Sequence, residues 1–321
     1  MTPRRAALTA PFRWLIDAID VGRHQPQIVL GAIIATALVG LLPSLPQQLM
    51  ALSGASPGMG VILMTQAVGF VFGLLVIPVL HAGIYRILDG AERGTPQRIG
   101  QIFDGFSDGS YGRIVGVAVL TVLLMAALFV LIALVMALAV GVDGARGLQA
   151  WMEAVMKLQA EADGQPIPPA KIEALGVPAG LGAIIGVLFA FMPIWLFLAL
   201  GTAWALVSVA LRGAGPVEAV LGGLRAAFVN ALPLLGLMLA LGLPLLLIGG
   251  LVMMVLGALI GVISAISPAL ANLVTLLLFT VIGIVVAAIS FGFVLNGWRA
   301  ICDDAGAAPP ANAPPVAGFE A

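Results

Sequence analysis

The chain has 321 residues, a formal net charge of -1, and 61% apolar against 9% charged residues. Soluble domains carry roughly 25% charged residues, so a water-soluble fold of this composition cannot cover its own surface and lipid must be the solvent for most of it. The near-neutral balance, with no Lys/Arg-rich run, excludes a phosphate-tracking nucleic-acid binder, and the single cysteine, Cys302, excludes an intrachain disulfide or thiolate cluster.

Four stretches contain no Asp, Glu, Lys or Arg: His24 to Tyr85, Ile114 to Val142, Ala174 to Leu211 and Ala226 to Trp298. A hydrocarbon core of about 30 Å takes about 20 residues of helix, so they hold two, one, one and two spans. In chain order these are Gln27 to Leu42, Val61 to Tyr85, Ile114 to Val140, Leu181 to Leu211, Leu232 to Ile263 and Ala269 to Asn296. The fold class is an all-α membrane protein with six transmembrane helices. Ala35-Thr36-Ala37 fits a signal-peptide cleavage motif, but the apolar run continues through Leu42 and the segment before it is longer than an ordinary n-region, so a retained span is expected.

Arg4, Arg5, Arg13, Arg23, Arg86, Arg93, Arg98, Arg113, Arg212, Arg225 and Arg299 fall on one side of these spans, and only Arg146, Lys157 and Lys171 on the other. By the positive-inside rule both termini are cytoplasmic. Tyr85, Tyr111 and Trp298 then stand near the cytoplasmic boundary, where amphipathic rings are favoured.

Each hairpin of two spans is preceded by a short helical pattern. Phe12, Leu15, Ile16 and Ile19 follow i, i+3, i+4, i+7; so do Ile99, Ile102, Phe103 and Phe106, and again Val217, Val220, Leu221 and Leu224. Pro11, Pro96 and Pro216 stand just ahead, where a missing N–H is harmless. The opposite faces carry Arg13, Asp17, Asp20 and His24, then Gln101, Asp104 and Asp108, then Glu218 and Arg225. Such helices are expected in the cytoplasmic interface with their stripes toward acyl chains. The unit, an interfacial amphipathic helix plus a transmembrane hairpin, recurs over about 11–90, 95–212 and 215–302 of one domain, 1–302. An even number of spans per unit implies a pseudo-threefold axis along the membrane normal.

The external loop 142–178 holds a stripe of Leu148, Trp151, Val155 and Leu158, with Glu153, Lys157, Gln159 and Glu161 away from it and a stop at Gly164 and Pro166 to Pro169. It is the expected place for an external partner or lid. Residues 303–321, rich in Ala and Pro, are expected to form a disordered cytoplasmic tail.

Phe12-Arg13-Trp14-Leu15, Arg23-His24-Gln25-Pro26, Ile102-Phe103-Asp104-Gly105-Phe106 and Asn230-Ala231-Leu232-Pro233 resemble a family of uncharacterised bacterial inner-membrane proteins, itself similar to the membrane domain beside some glycerophosphodiester phosphodiesterases. The resemblance implies a six-helix membrane domain with no catalytic residues to carry over, and the soluble phosphodiesterase barrel is absent from the sequence.

Chemistry-bearing residues are sparse. Asp17, Asp20, His24, Asp104 and Asp108 would supply oxygen and nitrogen ligands if the first two interfacial helices met, against the plainer reading of a solvated polar face. His81 reads as a boundary histidine bonded to a neighbouring helix. With two histidines and none of the zinc-hydrolase, serine-hydrolase or phosphate-loop motifs, no catalytic, cofactor or metal residues are assigned. Gly69/Gly73, Gly112/Gly116, Gly182/Gly186 and Gly257/Gly261 have small-xxx-small spacing and are read as packing contacts. Pro193 and Pro244 fall within spans four and five, and Gln66, Thr202, Asn272, Thr275, Ser290 and Asn296 either line a cavity or bond across helices.

The expected function is a non-catalytic scaffold, accessory or membrane-homeostasis factor; the alternative is a transporter or lipid-handling protein for a neutral or amphipathic substrate. Membrane lipids are the expected partners, with a membrane protein or a second copy on the glycine faces and no nucleic acid.

Overall fold

The computed structural model describes residues 3–20, 22–53, 58–161, 169–178 and 180–303. The described residues are helical throughout, without a strand: α1 (Ala10–Ile19), α2 (Pro26–Leu41), α3 (Leu45–Leu52), α4 (Met59–Leu75), α5 (Ile77–Glu92), a 3-10 helix (Ile99–Phe106), α6 (Tyr111–Glu161), α7 (Pro169–Glu173), α8 (Leu181–Arg212), α9 (Pro216–Val229), α10 (Ala231–Ile266) and α11 (Pro268–Cys302). Proline sets several starts, since its fixed φ suits a first turn: Pro11, Pro26, Pro216 and Pro268 all stand there, and Ser267 Oγ caps α11 by accepting from the Leu270 N–H at 3.3 Å. The expected tail beyond Asp303 and the stop at Gly164 and Pro166 to Pro168 lie outside the described residues.

Six helices are long and apolar enough to span a membrane: Pro26–Met50, Met59–Glu92, Tyr111–Glu161, Leu181–Arg212, Leu247–Ile266 and Leu270–Cys302. This is the make-up of a multi-pass membrane protein. The chain bends by 65° at Asn230, which separates α9 from α10.

The helices divide into two compact units, residues 1–121 with 199–321, and residues 122–198. In the first, the core lies at the arginine-rich ends of the helices. Trp14 of α1 meets Trp204 of α8 edge-on at 6.5 Å and Phe293 of α11 at 6.0 Å. Trp298 Nε1 donates to Ser208 Oγ at 2.7 Å, Ser208 donates to the Trp204 carbonyl at 2.9 Å, and Trp204 Nε1 donates to the Val294 carbonyl at 3.1 Å. The buried indole N–H groups of Trp204 and Trp298 are thereby satisfied, as a low-dielectric core requires.

Three close approaches build this core, each at a glycine. Gly297 of α11 lies against the rings of Trp14 and Trp204, where a Cβ would stand 3.2–3.3 Å from ring atoms. Gly83 of α5 lies under the Ile102 backbone of the 3-10 helix, with a hypothetical Cβ only 2.8 Å from the Ile102 carbonyl carbon. Gly201 of α8 meets α9, where a Cβ would be 2.9 Å from the Leu224 Cα, and Gly223 faces Gly201 in return.

The paired glycines of the sequence reading behave differently. Gly116 touches Pro216 and Gly69 makes an ordinary contact with Pro43, while Gly73, Gly112, Gly182, Gly186, Gly257 and Gly261 have open space where a Cβ would go. Spacing alone does not say which helix face meets a neighbour, and these faces point outward. Tyr85 and Trp298 are buried in the protein core. The second short helix is 3-10 and not α, consistent with Gly100 and Gly105 in an eight-residue element.

The expected apolar stripes are split: Ile16 is 64%, Phe103 46% and Leu221 63% exposed, while Ile102 and Val220 of the same stripes are buried. Small residues on the other side, Ala18, Gly105 and Gly223, are buried. Away from the core, the outer lengths of α4, α10 and α11 expose apolar side chains such as Leu63, Leu251, Met254 and Val285.

The second unit contains the outer part of α6, α7 and the first part of α8. Gly141 (φ 64°, ψ -179°) breaks α6, a conformation open to glycine and strained for other residues. The following helical length keeps Leu148, Trp151, Val155 and Leu158 half-buried and Glu153, Lys157, Gln159 and Glu161 exposed, as its periodicity predicts. Trp151 Nε1 donates to the Gly176 carbonyl at 3.1 Å, and Gly144 packs near the Gly180 backbone.

Candidate functional site

Charge is concentrated at the arginine-rich end of the first unit. Arg299 of α11 binds Asp89 at 2.6 Å and also Glu92, both on α5, while Arg93 holds Asp89 from the same helix at 3.0 Å. Asp89 is buried, and two guanidinium partners offset the removal of its charge from water. Arg86 donates to Asp108 at 2.6 Å, to Ser110 Oγ at 3.0 Å and to the Ala210 carbonyl at 3.0 Å, joining α5, the start of α6 and the end of α8. Partial burial raises the Asp108 carboxyl, but bonds from the Ser110 hydroxyl and N–H and from Arg86 outweigh it and hold the group below its ordinary value. Arg212 bonds Asp303 at 2.6 Å and lies 4.9 Å from the Trp298 ring centre.

Beside this network a polar cavity of about 280 Å³ is lined by Asp17, Asp20, Arg23, His24, Glu92 and Asn296. Of the five residues considered as ligands, Asp17, Asp20 and His24 come to one cavity. Asp108 is instead held by Arg86 and Ser110, and neither it nor Asp104 lines the cavity. Among the described residues no three His, Cys, Asp or Glu side chains are grouped to hold a metal ion. The cavity is of mixed sign and suits hydrogen bonding to a polar group. His81 meets a neighbouring helix as expected, through an edge-on ring contact with Phe291 at 5.0 Å.

The neutral polar residues of the spans do not share a cavity. Thr202 and Thr275 donate to carbonyls of their own helices, of Ala199 and Ala271, while Gln66, Asn272 and Ser290 are exposed on the outer surface. Asn296 reaches another helix, donating to the Trp14 carbonyl 3.5 Å away.

Three residues with clear positioning roles were not singled out by sequence. Asn230, fully buried at the bend between α9 and α10, accepts from the Ala6 N–H at 2.6 Å and donates to the carbonyls of Arg4 (3.0 Å) and Ala226 (2.9 Å). Gln25 donates to the Thr95 carbonyl at 2.7 Å and accepts from the Gln97 N–H at 3.0 Å, pinning the α1–α2 corner to the segment after α5. Asp89 had one signal, a carboxylate four residues before Arg93.

In the second unit an open, mainly apolar cavity of about 1010 Å³ lies beside the Gly141 break, with Met136, Met152 and Met156 on its apolar side and Arg146, Gln149 and Glu153 on its polar side. No family model, curated protein or solved structure matches the chain.

Proposed function

We propose that the chain is a non-catalytic scaffold or accessory protein of a bacterial inner membrane, with both termini cytoplasmic, acting through its outer helix surfaces on lipid and on a membrane-protein partner or a second copy. One observation carries this reading. Arg86, Asp89, Glu92, Asp108, Arg212, Arg299 and Asp303 of the first unit tie separate segments together at the arginine-rich end, while the outer lengths of α10 and α11 present many exposed apolar side chains. The distribution of basic residues supports the orientation.

A repeat of interfacial helix plus hairpin, arranged about a pseudo-threefold axis, has support in the contacts of the first unit. The 3-10 helix of the second repeat sits on α5 of the first, and α9 of the third sits on α8 of the second. α1 of the first sits on α11 of the third, which would close the cycle. Membership of the family that the sequence resembles fits the same picture.

Photo-crosslinking residues placed at Leu251, Met254 and Leu221 in native membranes test the scaffold. It requires discrete protein adducts from at least one position; lipid adducts alone at all three would remove it. A second reading, lipid handling, is favoured by the apolar cavity of the second unit.

A further inference from the structure

The helical length after Gly141 has two kinds of surface beyond its half-buried stripe. At 100° per residue, Met152 and Met156 fall on one line, and with Met136 of the preceding span they face the apolar part of the cavity. Methionine side chains are flexible and polarisable, so they conform to an aliphatic chain of no fixed shape. Arg146, Gln149 and Glu153 follow i, i+3, i+7 along the adjacent line and edge the same cavity. Gln149 Nε2 donates to Glu153 Oε1 at 2.9 Å, which orients the carboxylate, and among the described residues Arg146 makes a loose, exposed 3.7 Å pair with Asp143. Such a pair contributes little and gives way readily to a better anion.

We propose that this cavity is a binding site for a glycerophospholipid with a phosphate and a primary amine in its head, the amine phospholipid of phosphoethanolamine type. The methionines take an acyl chain, Arg146 takes the phosphate through its guanidinium fork, and Glu153 accepts hydrogen bonds from the ammonium group. Arg146 and Glu153 lie two helical turns apart, about 10 Å along the axis, a gap their side chains and the head group close between them. The complementarity is selective. A quaternary choline has no N–H for Glu153, and a glycerol head leaves the carboxylate without a cation. The site rests on the lipid-handling reading for its role, while binding is separable from movement of the lipid.

The test is native mass spectrometry of the full chain in non-ionic detergent, with phosphatidylethanolamine, phosphatidylcholine and phosphatidylglycerol of identical acyl chains supplied in equal amounts. Wild type should retain the ethanolamine lipid about fivefold over the other two, the size of one interfacial charge contact. Glu153→Gln should equalise ethanolamine and choline lipids, Arg146→Gln should weaken all three, and Met156→Trp should displace all three. All three positions are exposed or at an open cavity edge, and unchanged melting temperatures verify that the variants are folded. Equal retention of the three lipids by wild type, or selectivity that survives Glu153→Gln, overturns the proposal. Intact selectivity together with no lipid movement between vesicles would retain the site and remove lipid handling.

Discussion

Gly83, Gly201 and Gly257 are chemically identical, and their surroundings decide what a methyl group would do to each. At Gly83 a Cβ overlaps the Ile102 backbone, which cannot move without lifting the 3-10 helix off α5. Gly83→Ala should therefore destabilise by about 1–3 kcal/mol, the range for an overpacked site. At Gly257 nothing stands within 4 Å, so Gly257→Ala should be neutral or slightly stabilising through helix propensity. Melting temperatures in one detergent decide it, and an equal loss in both variants would mean that the α10 glycine face has a partner. Asn230→Ala leaves the Arg4 carbonyl and the Ala6 N–H without their buried partner and should lose about 1–3 kcal/mol. For Asp108 the folded carboxyl titrates below its unfolded value. Its contribution is therefore complete above the unfolded value and is lost as pH falls through the depressed one. Asp108→Asn should lower the melting temperature at neutral pH and flatten its decline in acid; an unchanged acid limb would show that Asp108 is not responsible. These residues were poorly legible in the sequence because a close approach or a long-range bond depends on which segments meet. Asn230 and Gln25 stand within stretches that carry the family resemblance, but nothing in their neighbours announces a partner 70 or 226 residues away.

The short elements before each hairpin show why periodicity reads differently in a membrane. In water an apolar stripe marks the side that faces the core; at a lipid boundary, lipid also accepts apolar side chains, and close helix packing favours small residues. Ile16, Phe103 and Leu221 are accordingly on the outside, and Ala18, Gly105 and Gly223 face the bundle. An apolar pattern was legible, but not which of its members face the core: Ile102 and Val220, from the same stripes as Phe103 and Leu221, are buried, and hydropathy does not distinguish protein from lipid. The two sides separate experimentally. Ile102 is fully buried, so Ile102→Ala should lower stability by about 2–5 kcal/mol. Phe103→Ala removes a side chain that is nearly half exposed and should change the melting temperature much less. If it instead reduces partition of the protein into anionic vesicles, the stripe is a lipid contact; matching losses of stability would place Phe103 in the core as well.

At the scale of the whole molecule, the six spans were legible because charge is the most expensive group to place in hydrocarbon, and its absence marks each crossing. The two cavities were not: the polar one gathers residues from segments far apart in sequence, and the apolar one depends on the break at Gly141 inside an otherwise unbroken helical pattern. The orientation inferred from the arginines predicts that, with Cys302 replaced by Ala, cysteines at Ala7 and Ala313 escape a membrane-impermeant thiol reagent and one at Gln159 is labelled. Labelling at either terminus would reverse or break the topology. The remaining choice is between a fixed frame and a moving one, and it turns on two prolines. Pro193 and Pro244 stand inside the continuous helices α8 and α10, where each removes one backbone hydrogen bond and leaves a carbonyl free. In a frame that works by its surface, alanine at either position restores the bond and leaves the surface intact, so both single variants and the double variant should complement a deletion strain. In a transporter the same weak points are hinges, and stiffening them should yield a folded, inserted protein that fails to complement. Complementation by all three argues for the frame; failure of a well-inserted double variant would make movement of a substrate the better account of the fold.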